Sequence, residues 1–210
     1  MIAPNVIELL AYAFVFLFGA CIGSFLNVCT ARWPAQLSVV APRSRCPSCG
    51  HAITWYENIP VLSWLVLRGR CRGCKGAISP IYPAVEILVA LGWLAAVAGF
   101  GFGFTALRIA VFGTVLLGVS ITDAKHYVIP DGFTVFGFVW VLATAFVGHL
   151  LGDVLPFANA PDALLGACVG AGAIAIAGWL GEVAFKKEAM GFGDATLMAV
   201  VGGALGPGGA

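Results

Sequence analysis

Long apolar stretches dominate this chain and restrict the folds that it can adopt. Five of them occupy residues 7–29, 82–100, 105–122, 133–151 and 163–184. A membrane-spanning helix needs about 20 mostly apolar residues, and only helices or closed barrels satisfy the backbone hydrogen bonds inside lipid. A sixth apolar segment begins near Asp194 and reaches the last residue, Ala210, sixteen residues later. We therefore predict an all-α polytopic membrane protein with about six transmembrane helices.

The composition excludes an ordinary soluble domain. Hydrophobic residues make up 60% of the chain, charged residues only 10%, and the mean hydropathy is +0.99. Soluble domains carry about 25% charged residues. The residues before the first apolar stretch contain no Lys or Arg, so we expect a retained helix rather than a signal peptide. The lipid bilayer is the partner that this composition indicates, and we expect no nucleic-acid partner.

Basic residues between the first two apolar stretches predict the orientation. Residues 30–80 contain Glu57 as their single acid, whereas their basic residues are Arg32, Arg43, Arg45, Arg68, Arg70, Arg72 and Lys75. Short loops rich in Lys and Arg stay in the cytoplasm. The N-terminus then lies outside, and the 123–132 segment and Lys186–Lys187 lie inside. Every basic residue except Arg108 falls on the cytoplasmic side in this arrangement.

Two CxxC motifs mark the basic loop. They are Cys46-Pro47-Ser48-Cys49 and Cys71-Arg72-Gly73-Cys74. Four thiolates suit a tetrahedral zinc ion, and a loop of about 50 residues cannot easily bury a core of its own. Disulfides are disfavoured in the reducing cytoplasm. The spacing therefore predicts a closed, structural zinc site on Cys46, Cys49, Cys71 and Cys74, with His51 outside the ligand set.

Asp123 and Asp194 each lie where an apolar stretch meets a polar one, and the predicted orientation places both at cytoplasmic helix ends. Two carboxylates that share a site do not both ionise easily, so one can act as a base on water while the other keeps a proton. Gly191 and Gly193 would allow a close backbone approach. An Asp at a helix start is also a common cap, and Asp131 is the better cap candidate. Other acids lie near cytoplasmic helix ends too, namely Glu86, Glu182 and Glu188.

The motifs resemble those of bacterial type IV prepilin peptidases, in the same order along the chain. The matching segments are Gly23-Ser24-Phe25-Leu26-Asn27-Val28, Glu57-Asn58-Ile59-Pro60 between the two CxxC motifs, Ser79 to Glu86, Thr122-Asp123 with Ile129-Pro130-Asp131, and Glu188 to Asp194. The resemblance implies an inner-membrane aspartic endopeptidase with Asp123 and Asp194 as the catalytic pair. Its implied substrates are prepilins and pseudopilins, whose leader is removed on the cytoplasmic side. Many family members also N-methylate the new N-terminus with S-adenosylmethionine.

Two departures from the family pattern stand out. Ala195-Thr196-Leu197 replaces the usual Val-Lys-Leu, which removes a cation next to the second aspartate. Family members also continue through further helices, so we expect the chain to be incomplete at its C-terminus. The apolar stretches and the CxxC loop divide the chain into three parts. We predict a first helix (1–29), a cytoplasmic zinc-binding domain (30–81) and a transmembrane peptidase core (82–210).

Three other interpretations stay open. Presenilin-like proteases share the GxGD motif, but they have Tyr rather than Thr122 before the first aspartate and lack the CxxC loop. A transporter would use the acids as an ion path. A membrane assembly factor would dock partners on its zinc loop, and substitution of the aspartates would then leave its function largely intact.

Overall fold

The computed structural model describes residues 5–152, 156–187 and 190–208, and helices account for most of them. Glu188, one of the acids considered above, lies outside the described residues. No strand longer than an isolated bridge occurs in these three ranges. The α-helices are α1 (Val6–Arg32), α2 (Leu62–Val66), α3 (Ile81–Phe100), α4 (Phe104–His126), α5 (Asp131–Leu151), α6 (Ala160–Phe185) and α7 (Phe192–Leu205).

Five helices are long and apolar enough to cross a membrane, and they coincide with the five predicted stretches. They are α1, α3, α4, α5 and α6, whereas α7 is apolar but has only 14 residues. Large apolar side chains on their outer faces are exposed, including Leu10, Phe14, Leu88 and Val139. Such faces are stable in lipid, so the chain is a multi-pass membrane protein, as predicted.

By its internal contacts the chain divides into two compact units, Met1–Gly101 and Phe102–Ala210. In the first unit, α1 packs closely against α3 because two glycines face it. A Cβ atom on Gly19 would lie 2.9 Å from Cα of Ala90, and one on Gly23 would lie 2.7 Å from Cα of Glu86. Small residues let membrane helices approach in this way. The three-part division at residues 29 and 81 stays a prediction.

In the second unit, α5 packs between α4 and α7. A Cβ atom on Gly137 of α5 would lie 3.2 Å from Val115 of α4 and 3.1 Å from Val200 of α7. Val200 is fully buried beside Val141 and Ala204. Helix α6 also packs against α7, where Gly166 and Gly170 face its backbone. The arrangement fixes the ends of α4 and α7, which carry the two aspartates.

Candidate active site and metal centre

The two CxxC motifs form matching tight turns. The Cys46 N–H donates to the His51 carbonyl (2.9 Å), and the Gly50 N–H donates back to the Cys46 carbonyl (2.9 Å). Around Cys71 the pattern repeats, with the Lys75 N–H donating to the Cys71 carbonyl (2.9 Å). An isolated antiparallel bridge closes each turn, Arg45 with Ala52 and Arg70 with Ala77. Each turn therefore presents its two thiols on one side.

The four thiols form a single cluster. Their sulfur atoms all lie within 4.8 Å of one another. The Sγ atoms of Cys46 and Cys74 are 3.9 Å apart, as are those of Cys49 and Cys71. A tetrahedral zinc ion with Zn–S bonds of about 2.3 Å requires sulfur separations of about 3.8 Å. The residues therefore fit a four-coordinate, closed metal site, which the two separate CxxC motifs had predicted.

Backbone donors favour the charged form of one thiol in this cluster, Cys46. The N–H groups of Cys49 and Ser48 lower the pKa of Cys46 to about 6. A thiolate is the form that binds a metal, and hydrogen bonds to the charged form favour it. Cys46 thus offers a thiolate near neutral pH before the metal adds its own charge.

Glu57 links the two turns. Its side chain is only 6% exposed and accepts hydrogen bonds from the Thr54 N–H (2.9 Å), the Thr54 hydroxyl (2.8 Å) and Nε2 of His51 (3.2 Å). Arg72, inside the second CxxC motif, lies 4.0 Å away. The Thr54 donors, with His51 beside them, lower the pKa of Glu57 to about 2. Sequence reasoning missed this role, although the Thr-x-x-Glu pattern from Thr54 to Glu57 is the signature of a capping box.

Asp123 lies in the last turn of α4 and is exposed. The helix ends behind it at Tyr127, which adopts a left-handed conformation and donates its N–H to the Asp123 carbonyl (2.8 Å). The preceding residue, Thr122, is fully buried, and its hydroxyl donates to carbonyls of its own helix. Thr122 thus faces the packed interior while the Asp123 side chain lies on the exposed surface.

Asp194 lies in the first turn of α7, since the helix begins at Phe192 and not after Asp194 as the sequence suggested. Its Oδ2 accepts the Gly191 N–H (3.1 Å), and its own N–H donates to the Gly191 carbonyl (3.1 Å). The side chain is half-buried. Asp194 therefore stabilises the start of α7, and its other carboxylate oxygen has no hydrogen bond to the described residues.

The segments that carry the two aspartates touch each other. A Cβ atom on Gly193 would lie 3.0 Å from Cβ of Ile129 and 3.4 Å from its carbonyl oxygen. Ile129 belongs to the short connection between α4 and α5, so the residue before Asp194 packs onto the chain that follows Asp123. Asp131 also lies at this connection, in the first turn of α5, but Pro130 is the N-cap residue there and makes no side-chain bond.

Comparisons with known proteins match both units of the chain. Residues 17–100 match the bacterial peptidase A24 N-terminal domain, and residues 110–210 match the type IV leader peptidase family. The prepilin leader peptidase/N-methyltransferase of Myxococcus xanthus is 43% identical over 192 residues, which are 91% of this chain and 55% of that protein. Those of Stutzerimonas stutzeri and Pseudomonas aeruginosa are each 36% identical.

This chain spans about half the length of the Myxococcus protein, 69% of the Stutzerimonas protein and 70% of the Pseudomonas protein. No solved structure matches it. The two family matches follow the order of the motifs along the chain, and the aspartate segments and the four-thiol cluster lie within them. The chain therefore belongs to the type IV leader peptidase family.

Proposed function

We propose that this protein cleaves the leader peptides of type IV prepilins and pseudopilins, with Asp123 and Asp194 as its catalytic pair. The observation that carries the proposal is the contact between Gly193 and Ile129, which brings the two aspartate segments together in a member of a peptidase family. We further propose that cleavage takes place on the cytoplasmic face of the bacterial inner membrane, where the excess of basic loop residues would lie.

In this proposal the hydrophobic helix of a prepilin lies against the bundle while its basic leader stays in the cytoplasm. One carboxylate removes a proton from a water molecule, whose oxygen attacks the carbonyl carbon of the scissile peptide bond. The protonated partner donates a hydrogen bond to the carbonyl oxygen and then gives its proton to the leaving amine. The exposed Asp123 and the half-buried Asp194 suit a boundary that both water and an extended peptide can reach.

The four-thiol cluster supports a structural role for zinc. A closed site with four cysteine ligands leaves no open position for a substrate or water. We assign Cys46, Cys49, Cys71 and Cys74 to holding the loop in shape, and the peptidase chemistry to the aspartates.

N-methylation of the new N-terminus is a second proposed activity. The relatives from Myxococcus, Stutzerimonas and Pseudomonas carry N-methyltransferase in their names, and the first unit of this chain matches a domain of the same family. The methyl donor in this proposal is S-adenosylmethionine.

Cleavage of a prepilin in membranes that lack an endogenous peptidase tests the main proposal. Asp123→Asn and Asp194→Asn should each reduce cleavage at least about a hundredfold at matched expression, because each removes one partner of acid–base catalysis. Glu182→Gln, an exposed acid near the end of α6, serves as the matched control and should cleave like the parent. Full cleavage by both Asn variants would show that the aspartates are structural.

A further inference from the structure

A cavity of about 300 Å³ lies within the first unit, between α1, the thiol loop and the start of α3. Its volume is at the lower end of the range for small-molecule sites, about 300–1,000 Å³. Charged and aromatic side chains from all three elements line it, among them Arg32, Arg45, Glu57, Trp64 and Glu86. The peptidase proposal uses none of them.

Glu86 is a buried acid in the wall of this cavity. The residue is 8% exposed, its Oε2 accepts the Val61 N–H at 2.7 Å, and the Ser24 side chain is a second hydrogen-bond partner. No Lys, Arg or His among the described residues forms an ion pair with it. Taking a carboxylate out of water is costly without a partner of opposite charge. A cation supplied by a ligand would be that partner.

A strained backbone turn aims the donor at Glu86. Val61 has φ +60° and ψ −50°, and the Leu62 N–H donates to the Pro60 carbonyl across it. This is a γ-turn conformation that is unfavourable for a β-branched residue. Strain of this kind concentrates at ligand sites, where the surrounding structure maintains it. Here it fixes the orientation of the Glu86 carboxylate in the cavity wall.

The cavity also contains positive charge without an acidic partner. The Arg32 guanidinium donates to two neutral carbonyls, those of Ser38 and Pro42, both at 2.8 Å. Arg45 is exposed and forms no ion pair with a described residue. The other acid, Glu57, already accepts from Thr54 and His51. The uncompensated charges are therefore one carboxylate and two guanidinium groups.

An aromatic wall completes the cavity. The Trp64 Nε1 donates to the Ile78 carbonyl (3.1 Å), which fixes the ring, and Gly69 packs against the part of the ring that includes Nε1 and Cζ2. An indole face binds both a planar heterocycle and a nearby cation. The matching ligand is a small zwitterion that has an extra cationic centre and an aromatic group.

We infer that this cavity binds S-adenosylmethionine, with Glu86 toward the sulfonium, Arg32 and Arg45 toward the carboxylate, and Trp64 toward the adenine. The inference rests on the proposed N-methylation activity. The donor supplies a methyl group to the amine nitrogen of the cleaved pilin, which loses a proton, and the C–S electron pair stays on sulfur as S-adenosylhomocysteine. The chain's own residues bind and orient the donor.

Equilibrium binding of radiolabelled S-adenosylmethionine and S-adenosylhomocysteine to the purified chain in lipid nanodiscs tests the inference. Glu86→Gln keeps the shape and an acceptor for Val61 but removes the charge, so it should weaken the binding of S-adenosylmethionine at least about tenfold. The binding of S-adenosylhomocysteine, which lacks the sulfonium charge, should weaken much less. If Glu86 had only a structural role, Glu86→Gln would weaken the binding of both ligands equally.

Arg45 and Arg70 provide a matched pair, because each precedes the first cysteine of its motif and forms the same bridge, but only Arg45 lines the cavity. Arg45→Gln should weaken the binding of both ligands about threefold or more, because it removes the contact with the carboxylate of the ligand. Arg70→Gln should weaken the binding of neither ligand. No binding by the parent, equal losses for both ligands in Glu86→Gln, or equal behaviour of the two Arg variants would each overturn the inference.

Two further readouts on the same preparations separate this inference from the peptidase proposal. Zinc content reports whether each variant has folded its loop. Prepilin cleavage should be unchanged in the Glu86 and Arg45 variants, since neither residue belongs to the aspartate pair. Cleavage without donor binding would therefore overturn the cavity assignment alone, and donor binding without cleavage would overturn the peptidase proposal alone.

Discussion

Gly193 is the residue at which the two aspartate segments meet. Its missing side chain lets the start of α7 lie directly on Ile129. Gly191, two residues earlier, has more room: a Cβ atom there would come no closer than 3.6 Å to any neighbour. Neither glycine has a positive φ, so the contact rather than the backbone conformation distinguishes them.

Gly193→Ala should reduce prepilin cleavage about tenfold, because displacement of a catalytic group by a fraction of an ångström weakens its alignment. Gly191→Ala should cleave like the parent. Initial cleavage rates at matched expression would check this difference. Equal rates for the two variants would show that the Gly193 contact does not position Asp194.

Glu57 joins the two thiol turns through His51 and Arg72, and its low pKa has a defined consequence for stability. A carboxylate whose pKa falls on folding, here from about 4.3 toward 2, stabilises the fold above the higher value and loses that effect as the pH falls between them. Its contribution is therefore complete at pH 7.

Glu57→Gln should release zinc to a chelator several-fold faster at pH 7, because His51 and Arg72 lose their shared anion. The difference between variant and parent should shrink as the pH falls below about 4. A colorimetric chelator would measure the release rate. Glu8→Gln, which changes an acid at the start of α1, is the control and should match the parent; release at the parent's rate in Glu57→Gln would remove Glu57 from the metal centre.

At the scale of elements, the paired thiol turns differ at one equivalent position. The residue after the second cysteine has a left-handed backbone in both, Gly50 with φ +73° and Lys75 with φ +60°. Glycine adopts this conformation without a steric penalty, whereas a residue with a Cβ atom is strained there. The backbone of the second turn is thus more strained than that of the first.

Lys75→Gly should stabilise the metal-loaded loop by up to about 1 kcal/mol, since it removes this strain. Lys75→Ala removes the same side chain but keeps the Cβ atom, so it should give no such gain. Gly50→Ala should destabilise the loop by a similar amount. Thermal unfolding of the zinc-loaded protein would rank the variants, and an equal gain for Ala and Gly at position 75 would contradict the backbone explanation.

The elements differ in how well the sequence predicted them. Apolar length alone predicted the five long helices to within four residues at each end, because lipid requires nearly every residue in a span to be apolar. The thiol cluster followed from local CxxC spacing. The links from Glu57 to His51 and Arg72 and the Gly193–Ile129 contact depend on side-chain packing, which no local pattern specifies. The start of α7 was placed too late because Asp194 was treated as a residue before the helix.

At the scale of the whole molecule, Arg108 is the one basic residue that the predicted orientation leaves outside the cytoplasmic side. It is 1% exposed, and its guanidinium lies over the rings of Phe157 (4.3 Å) and Phe104 (5.7 Å). Cation–π contact stabilises a positive charge away from water. A buried Arg adds nothing to the charge of a loop, so it does not weaken the orientation that the exposed residues predict.

Reporter fusions would test that orientation. A fusion after Gly103 should give active periplasmic phosphatase, and a fusion after Val128 should give a fluorescent cytoplasmic reporter, because loops rich in Lys and Arg remain inside. Arg70→Gln in the Val128 fusion is a control for loss of a single loop charge and should not reverse the signals. The reversed pattern in the parent would place the aspartates on the periplasmic side.

Helix α7 is too short to cross a typical bilayer unless the lipid around it thins. Its 14 residues rise about 21 Å, whereas the hydrocarbon core of a typical bilayer is about 30 Å thick. Lipids next to so short a helix would have to thin, or the polar groups at its ends would sit below the headgroups. A depression in the membrane beside Asp194 would bring water down to the level of a substrate's buried peptide bond.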